Sequence, residues 1–138
     1  MEVTVDEVTT AFVQRRANGR CEYCHLPQAY TALLFEVEHI IAKQHDGQSV
    51  MSNLAYACLH CNRHKGPNLS GLDRIGSHRR IVKLFHPRLH RWDYHFAWDG
   101  PRLIGKTPIG RVTVRVLYIN DPLMVLVREE LIAEGLFP

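Results

Sequence analysis

The 138-residue sequence predicts an α+β fold organised around a strand–loop–strand–helix unit. Three observations predict it. Two Cys-x-x-Cys pairs, Cys21/Cys24 and Cys58/Cys61, flank one short segment. Within that segment "TALLFEVEHI" and "LAYAC" read as strands on either side of the polar loop "KQHDGQSVMSN". "LHCNRHK" then reads as a short helix halted by Gly66-Pro67.

Taken in order, Val5, Val8, Phe12 and Val13 keep helical spacing and Gly19 is a natural stop, so residues 5–18 are expected to form an amphipathic helix. It delivers the chain to "CEYC". In residues 31–40, Phe35, Val37 and His39 alternate against Glu36, Glu38 and Ile40, the period of a strand. Asp46-Gly47 marks the turn in the loop. Past "GPNLSG" the character changes. "WDYHFAWDGPRLIG" suggests a hairpin about Asp99-Gly100. Thr107-Pro108 is a cap followed by proline at the first helical position. Ile109, Val112, Val116 and Ile119 keep helical spacing after it, although the β-branched run from Val112 to Val116 also alternates as a strand would. Asp121-Pro122 repeats the cap signal, and Gly135 closes a last helix. With no repeat or linker, residues 1–138 read as a single domain with a core at about 20–66 and a C-terminal α/β extension at about 67–138.

Composition narrows the class. A hydrophobic share of 46% with 22% charged residues is that of a folded chain. No apolar run approaches the roughly 18 residues of a membrane span. The start "MEVTVDEVTTAFVQRR" lacks a signal-peptide core, which places the protein in the cytoplasm by expectation. In that compartment structural disulfides are disfavoured. Two Cys-x-x-Cys turns, each supplying a thiolate pair, instead predict a four-cysteine structural zinc on Cys21, Cys24, Cys58 and Cys61. The net charge of +3 is mild, but "HRRIVKLFHPRLHRW" gathers Arg79, Arg80, Lys83, Arg88 and Arg91 without one acid. That tract is either a solvated basic face or a nucleic-acid contact.

Between the cysteine pairs lie residues that a core does not need. Glu38 precedes His39, Asn53 follows on the loop, and Asn62 stands directly after Cys61. Histidine suits a general base near neutral pH. At a twisting strand end, Glu38 and His39 reach one cavity. Glu38 and Asn62 offer only oxygen ligands with open positions, the preference of Mg²⁺ or Mn²⁺. Asn53 is placed to tie down the loop carrying His39. His64 and Lys65, beside Asn62, are candidates for phosphate contact.

The segment resembles the HNH endonucleases, with their ββα-metal core, in the branch stapled by four cysteines. "EVEHI" matches the first motif position, "SNL" the middle asparagine and "CNRHKG" the helix position. The resemblance covers residues 20–66. It implies phosphodiester hydrolysis of DNA (or RNA), with His39 as general base, Glu38 and Asn62 holding a catalytic Mg²⁺ or Mn²⁺, and Asn53 orienting the site. Two positions depart from the family pattern. Glu38 stands where aspartate is usual, its carboxylate about 1.5 Å further out. Asn62 stands where many members have histidine. The expected protein is a magnesium-dependent, DNA-binding hydrolase, monomeric or homodimeric, with no membrane partner. The contact residues are His64, Lys65, Arg79, Arg80, Lys83 and Arg88. The alternative is a non-catalytic zinc-ribbon nucleic-acid-binding module.

Overall fold

The computed structural model describes residues 1–138, in which helices combine with three two-stranded antiparallel sheets in the expected α+β fold. Helix α1 (Glu7–Arg16) starts where the Asp6 carboxylate accepts the Thr9 amide at 2.9 Å. Its apolar stripe differs from expectation. Only Val13 is buried, while Val5, Val8 and Phe12 stay exposed. The helix is held mainly by Val13, packed with Leu54 and Tyr56, and by Arg16, which donates to the carbonyls of Met51 and Leu54.

The central unit is β1 (Phe35–His39), β2 (Leu54–Cys58) and α2 (Leu59–Lys65). Strand β1 is shorter than the predicted residues 31–40. Glu38 pairs with Ala55 and His39 with Leu54, so both functional candidates lie at the loop end of the hairpin. All five residues of β2 are buried, as in a strand covered on both faces. Cys58 ends it and caps α2, its sulfur accepting the Cys61 amide at 3.4 Å. The second cysteine pair therefore straddles a strand-to-helix junction. Gly66, at φ +49°, ends α2 in the left-handed region.

The first part of the basic tract, His78–Lys83, is a strand, which the sequence reading did not assign. β3 (Ser70–Ile75) and β4 (His78–Lys83) form a hairpin around Gly76. Its charged residues hide the alternation by which strands are read. One face rests on the helix α4 (Pro108–Val116): Gly71 lies against Val112 and Val116, and Asp73 receives two hydrogen bonds from Arg111 at 2.9 and 3.1 Å. A one-turn helix α3 (Trp92–His95) leads into β5 (Phe96–Asp99) and β6 (Arg102–Gly105), the hairpin expected about Asp99-Gly100. In α4 the helical reading prevails over the strand reading. Thr107 caps it by accepting the Gly110 amide at 3.0 Å, and Val112 and Val116, one turn apart, meet the β3–β4 hairpin together. Asp121 caps α5 (Pro122–Ala133).

The C-terminal elements are not an appendage. One apolar cluster runs from Cys21, Tyr23, Cys24, Cys58 and Cys61 through Phe85, Phe96 and Leu117 to Phe137. Helix α4 closes on the hairpin β5–β6 through glycine contacts. A Cβ on Gly110 would stand 2.1 Å from the His95 carbonyl oxygen, and one on Gly105 2.3 Å from the Arg111 nitrogen. Both obstacles are backbone and cannot rotate away. Gly110→Ala is therefore expected to lower stability by about 1–3 kcal/mol through overpacking, although alanine is the better helix former. Denaturant unfolding measures this, and an equal or raised midpoint would disprove the close approach.

Candidate active site and thiol cluster

The four cysteines converge. All are buried, and their sulfurs lie within 4.8 Å of one another. No disulfide joins them. The Cys24 and Cys58 sulfurs are 3.8 Å apart. A tetrahedron of sulfurs about 2.3 Å from a central zinc has edges of about 3.8 Å. The donor set and its spacing thus fit a closed structural zinc. Hydrogen bonding with Cys21 and Cys58, with burial, holds the Cys24 thiol well above its ordinary range. A central cation removes the obstacle to ionising all four. Buried Arg128 faces this cluster. Burial lowers its pKa, and the thiolates of Cys24, Cys61 and Cys58 oppose that. Its guanidinium also donates to the carbonyls of Pro101 and Ile119 and lies over the Trp98 ring at 5.4 Å. One Arg128 nitrogen keeps no hydrogen-bond partner. A positive charge here offsets that of a four-thiolate site.

Tyr23, between the first two cysteines, links the cluster to strand β1 by donating its hydroxyl to Glu38 Oε1. Burial, then the Glu38 charge, raise the Tyr23 pKa well above that of a free phenol, so it remains a donor. The other Glu38 oxygen receives the Lys65 ammonium at 3.1 Å, and Lys65 also donates to the Ile40 carbonyl at 2.8 Å. Glu38 is 5% exposed and Lys65 2%. Burial pushes the Glu38 pKa up, while the Lys65 charge and the Tyr23 hydrogen bond pull it down. Lys65 was expected at phosphate. It is instead the buried counter-ion of Glu38, because the end of α2 packs directly over β1.

Glu38, His39 and Asn62 line one open cleft of about 290 Å³, together with Lys43 and Gly66-Pro67. His39 Nε2 lies 2.8 Å from the Ser49 hydroxyl. With Nε2–H donating to Ser49, Nδ1 is left with its lone pair. Burial and the Lys43 charge lower the His39 pKa from that of a free imidazole, which favours the neutral ring. Asn53 accepts the Ile41 amide at 2.9 Å and donates to the carbonyls of Ile41 at 3.0 Å and Gln48 at 2.9 Å. Its own carbonyl accepts the Ile40 amide at 2.8 Å. One side chain thereby closes the loop that carries His39 at one end and Ser49 at the other. Asn62 donates to Glu36 Oε2 at 2.9 Å, leaving its amide oxygen without a protein donor.

An oxygen-ligated cation fits the chemistry of this donor set. Carboxylate oxygens each keep a second lone pair, so Glu38 can hold Tyr23 and Lys65 and still bind. The adjacent ammonium weakens such binding by repulsion.

Sequence reasoning missed Tyr23 and Ser49 and gave Lys65 a different role. Tyr23 carries no motif signal apart from its cysteine neighbours, Ser49 is an ordinary loop serine, and nothing local to Lys65 points to Glu38 as its partner. Two expected contacts also stand elsewhere. His64 is two positions from Asn62 on α2, turned from the cleft, and its ring lies 4.2 Å from that of His60. Arg88 is half-buried and ion-paired with Glu22, its pKa lowered to about 10 by burial. Arg79, Arg80 and Lys83 do remain exposed along β4.

Residues 21–68 match the family model described as HNH endonuclease. The resemblance read from the motif is borne out over this segment, which also holds the whole thiol cluster and the cleft residues. No curated protein and no solved structure matches the chain.

The buried pair yields a direct test. Lys65→Met should cost about 3–5 kcal/mol, since it strands a buried carboxylate. Adding Glu38→Gln should restore a large part. Thermal and denaturant melts of the single and double variants measure the coupling. Additive losses would show that the two groups do not compensate each other.

Proposed function

We propose that this protein is a metal-dependent endonuclease that hydrolyses phosphodiester bonds in DNA. The observation that carries the reading is the cleft in which a neutral, Ser49-oriented His39 meets Glu38 and Asn62 within an HNH segment. His39 Nδ1 takes a proton from water as its oxygen attacks phosphorus. The bond from phosphorus to the 3′ oxygen breaks, and that oxygen is protonated from solvent. The ends are a 5′-phosphate and a 3′-hydroxyl. Glu38 and Asn62 would hold Mg²⁺ or Mn²⁺, which when bound neutralises charge developing on the phosphate and the leaving oxygen. Asn53 keeps the His39 loop closed, so the base needs no rearrangement as the reaction proceeds. Arg79, Arg80 and Lys83 on β4 supply a basic track for the strand beyond the cleft.

Supercoiled plasmid with added Mg²⁺ or Mn²⁺ should be nicked or linearised. His39→Ala should slow this by roughly 10²–10⁴-fold with zinc content retained. The pH profile has a defined sign. A base works when unprotonated, so the rate falls with acid, and the lowered His39 pKa puts the midpoint of that limb at a lower pH than a free imidazole would give. Lys43→Ala should move the midpoint up. DNA binding without cleavage under any of these cations would favour the non-catalytic zinc-ribbon reading. Parental rates in His39→Ala would move the base to another residue.

A further inference from the structure

A second, more apolar cavity of about 210 Å³ lies behind the first. Neighbouring residues of the same two chain segments line both. Ala42 and Lys43 line the His39 cleft, and Ile40 and Ile41 line the cavity. Gly66 and Pro67 line the cleft, and Lys65, Asn68 and Leu69 line the cavity. A group in the cavity is therefore separated from the His39 cleft only by the two chain segments they share. The volume lies below the roughly 300–1,000 Å³ of pockets for drug-sized molecules, so the cavity admits one ring system.

Its lining states what kind of ring. The floor is apolar, from Ile40, Leu84 and Phe85. No acidic side chain lines it, and Lys83 stands on the wall. Two imidazoles complete it, and their tautomers follow from their hydrogen bonds. His86 Nδ1 accepts the Arg88 amide at 3.1 Å and the Leu89 amide at 3.3 Å. His90 Nδ1 accepts the His86 amide at 2.9 Å. Each ring has therefore spent its δ lone pair on backbone N–H and carries its proton at Nε2. Burial and nearby positive charge lower both pKa values, which keeps the rings neutral. The Asn68 side chain makes no hydrogen bond within the protein and adds a further amide. The lining thus combines two imidazoles whose Nε2–H groups have no partner within the protein with an apolar floor, positive charge from Lys83 and no acidic side chain on the wall.

We propose that this cavity receives one unpaired nucleobase, adjacent to the phosphate in the His39 cleft, through the acceptor edge of the base. The assignment deepens the nuclease reading and rests on it for the neighbouring phosphate. Apolar base faces suit the floor, carbonyl and ring-nitrogen acceptors suit the two Nε2–H groups, and the polyanionic backbone suits Lys83. Proteins that recognise single-stranded or extruded nucleotides use this combination of ring contact and edge hydrogen bonds. Its place in the fold makes His86 and His90 candidates for choosing which base lies next to the cut.

The test is a binding measurement, independent of cleavage. Zinc-loaded, magnesium-free protein is titrated with each of the four deoxynucleoside 5′-monophosphates, with deoxyribose 5-phosphate and inorganic phosphate as controls. Methyl signals of Leu69, Leu84 and Leu89 and the imidazole signals of His86 and His90 are followed by NMR. At millimolar concentration at least one nucleotide should shift all of them, and the controls should not. Leu89→Trp, at an exposed position on the cavity mouth, should fill the space and abolish the response with the fold intact. Asn68→Ala should weaken the binding several-fold. Equal shifts from deoxyribose 5-phosphate would reduce the cavity to an anion site and overturn the proposal. So would nucleotide shifts confined to other residues, or binding undiminished in Leu89→Trp. A protein that binds nucleotides here yet never cuts plasmid would refute the nuclease reading and leave the base pocket standing.

Discussion

The convergence of four buried thiols is the constraint on which the remaining structure depends. Cys21 and Cys24 follow α1, and Cys58 and Cys61 join β2 to α2, so a single cluster fixes three elements that a hairpin alone would leave loose. A two-stranded hairpin is at best marginally stable by itself. Here its open end, where Phe35 pairs with Cys58, is anchored in sulfur, and its loop end, bearing Glu38 and His39, is held by hydrogen bonds. The zinc that this cluster fits would contribute folding free energy directly.

Charge ties the cluster to the cleft. Tyr23 reaches from the first cysteine turn to Glu38, and Lys65 reaches back from the end of α2 to the same carboxylate. A buried pair of this kind contributes little net stability, yet removing either partner is costly. Its effect is on position. Glu38 cannot swing away, and the helix bearing Asn62 cannot slide along β1 without breaking it. Asn53 performs the corresponding task for the loop, so that His39 and Ser49 meet although ten positions separate them. Arg128 ties α5 to the β5–β6 hairpin through the Pro101 carbonyl and the Trp98 ring, and to the Ile119 carbonyl, so the buried guanidinium holds a distal helix against the core.

Much of this was legible in residue types and spacing. The cysteine pairs, the alternating β1, the Thr107-Pro108 and Asp121-Pro122 caps and the Asp99-Gly100 turn each carry a local physical signature, and each forms the expected element. The failures have a common cause. Whether Lys65 meets phosphate or Glu38 depends on how α2 lies across β1, a tertiary fact with no local signal. Arg88 reads as an unpaired cation because its partner, Glu22, is distant in sequence. The β3–β4 hairpin escaped notice because charge on both strands masks its period, and the α1 stripe misled because Val5, Val8 and Phe12 find nothing to cover them. Ser49 shows the limit most clearly. It orients the proposed base, yet nothing distinguishes it from any other loop serine until the loop is closed.

The central claim is that the thiol cluster builds the cleft, and the amide of Ile41 reports on it directly. That amide is bonded to Asn53 Oδ1 only when the motif loop is closed. Hydrogen exchange at Ile41 should be followed while zinc is added to chelator-treated protein. The account predicts fast exchange without metal and slow exchange that develops in step with one equivalent of zinc per chain. Full protection of Ile41 in zinc-free protein would contradict it, because the cleft would then form without its staple.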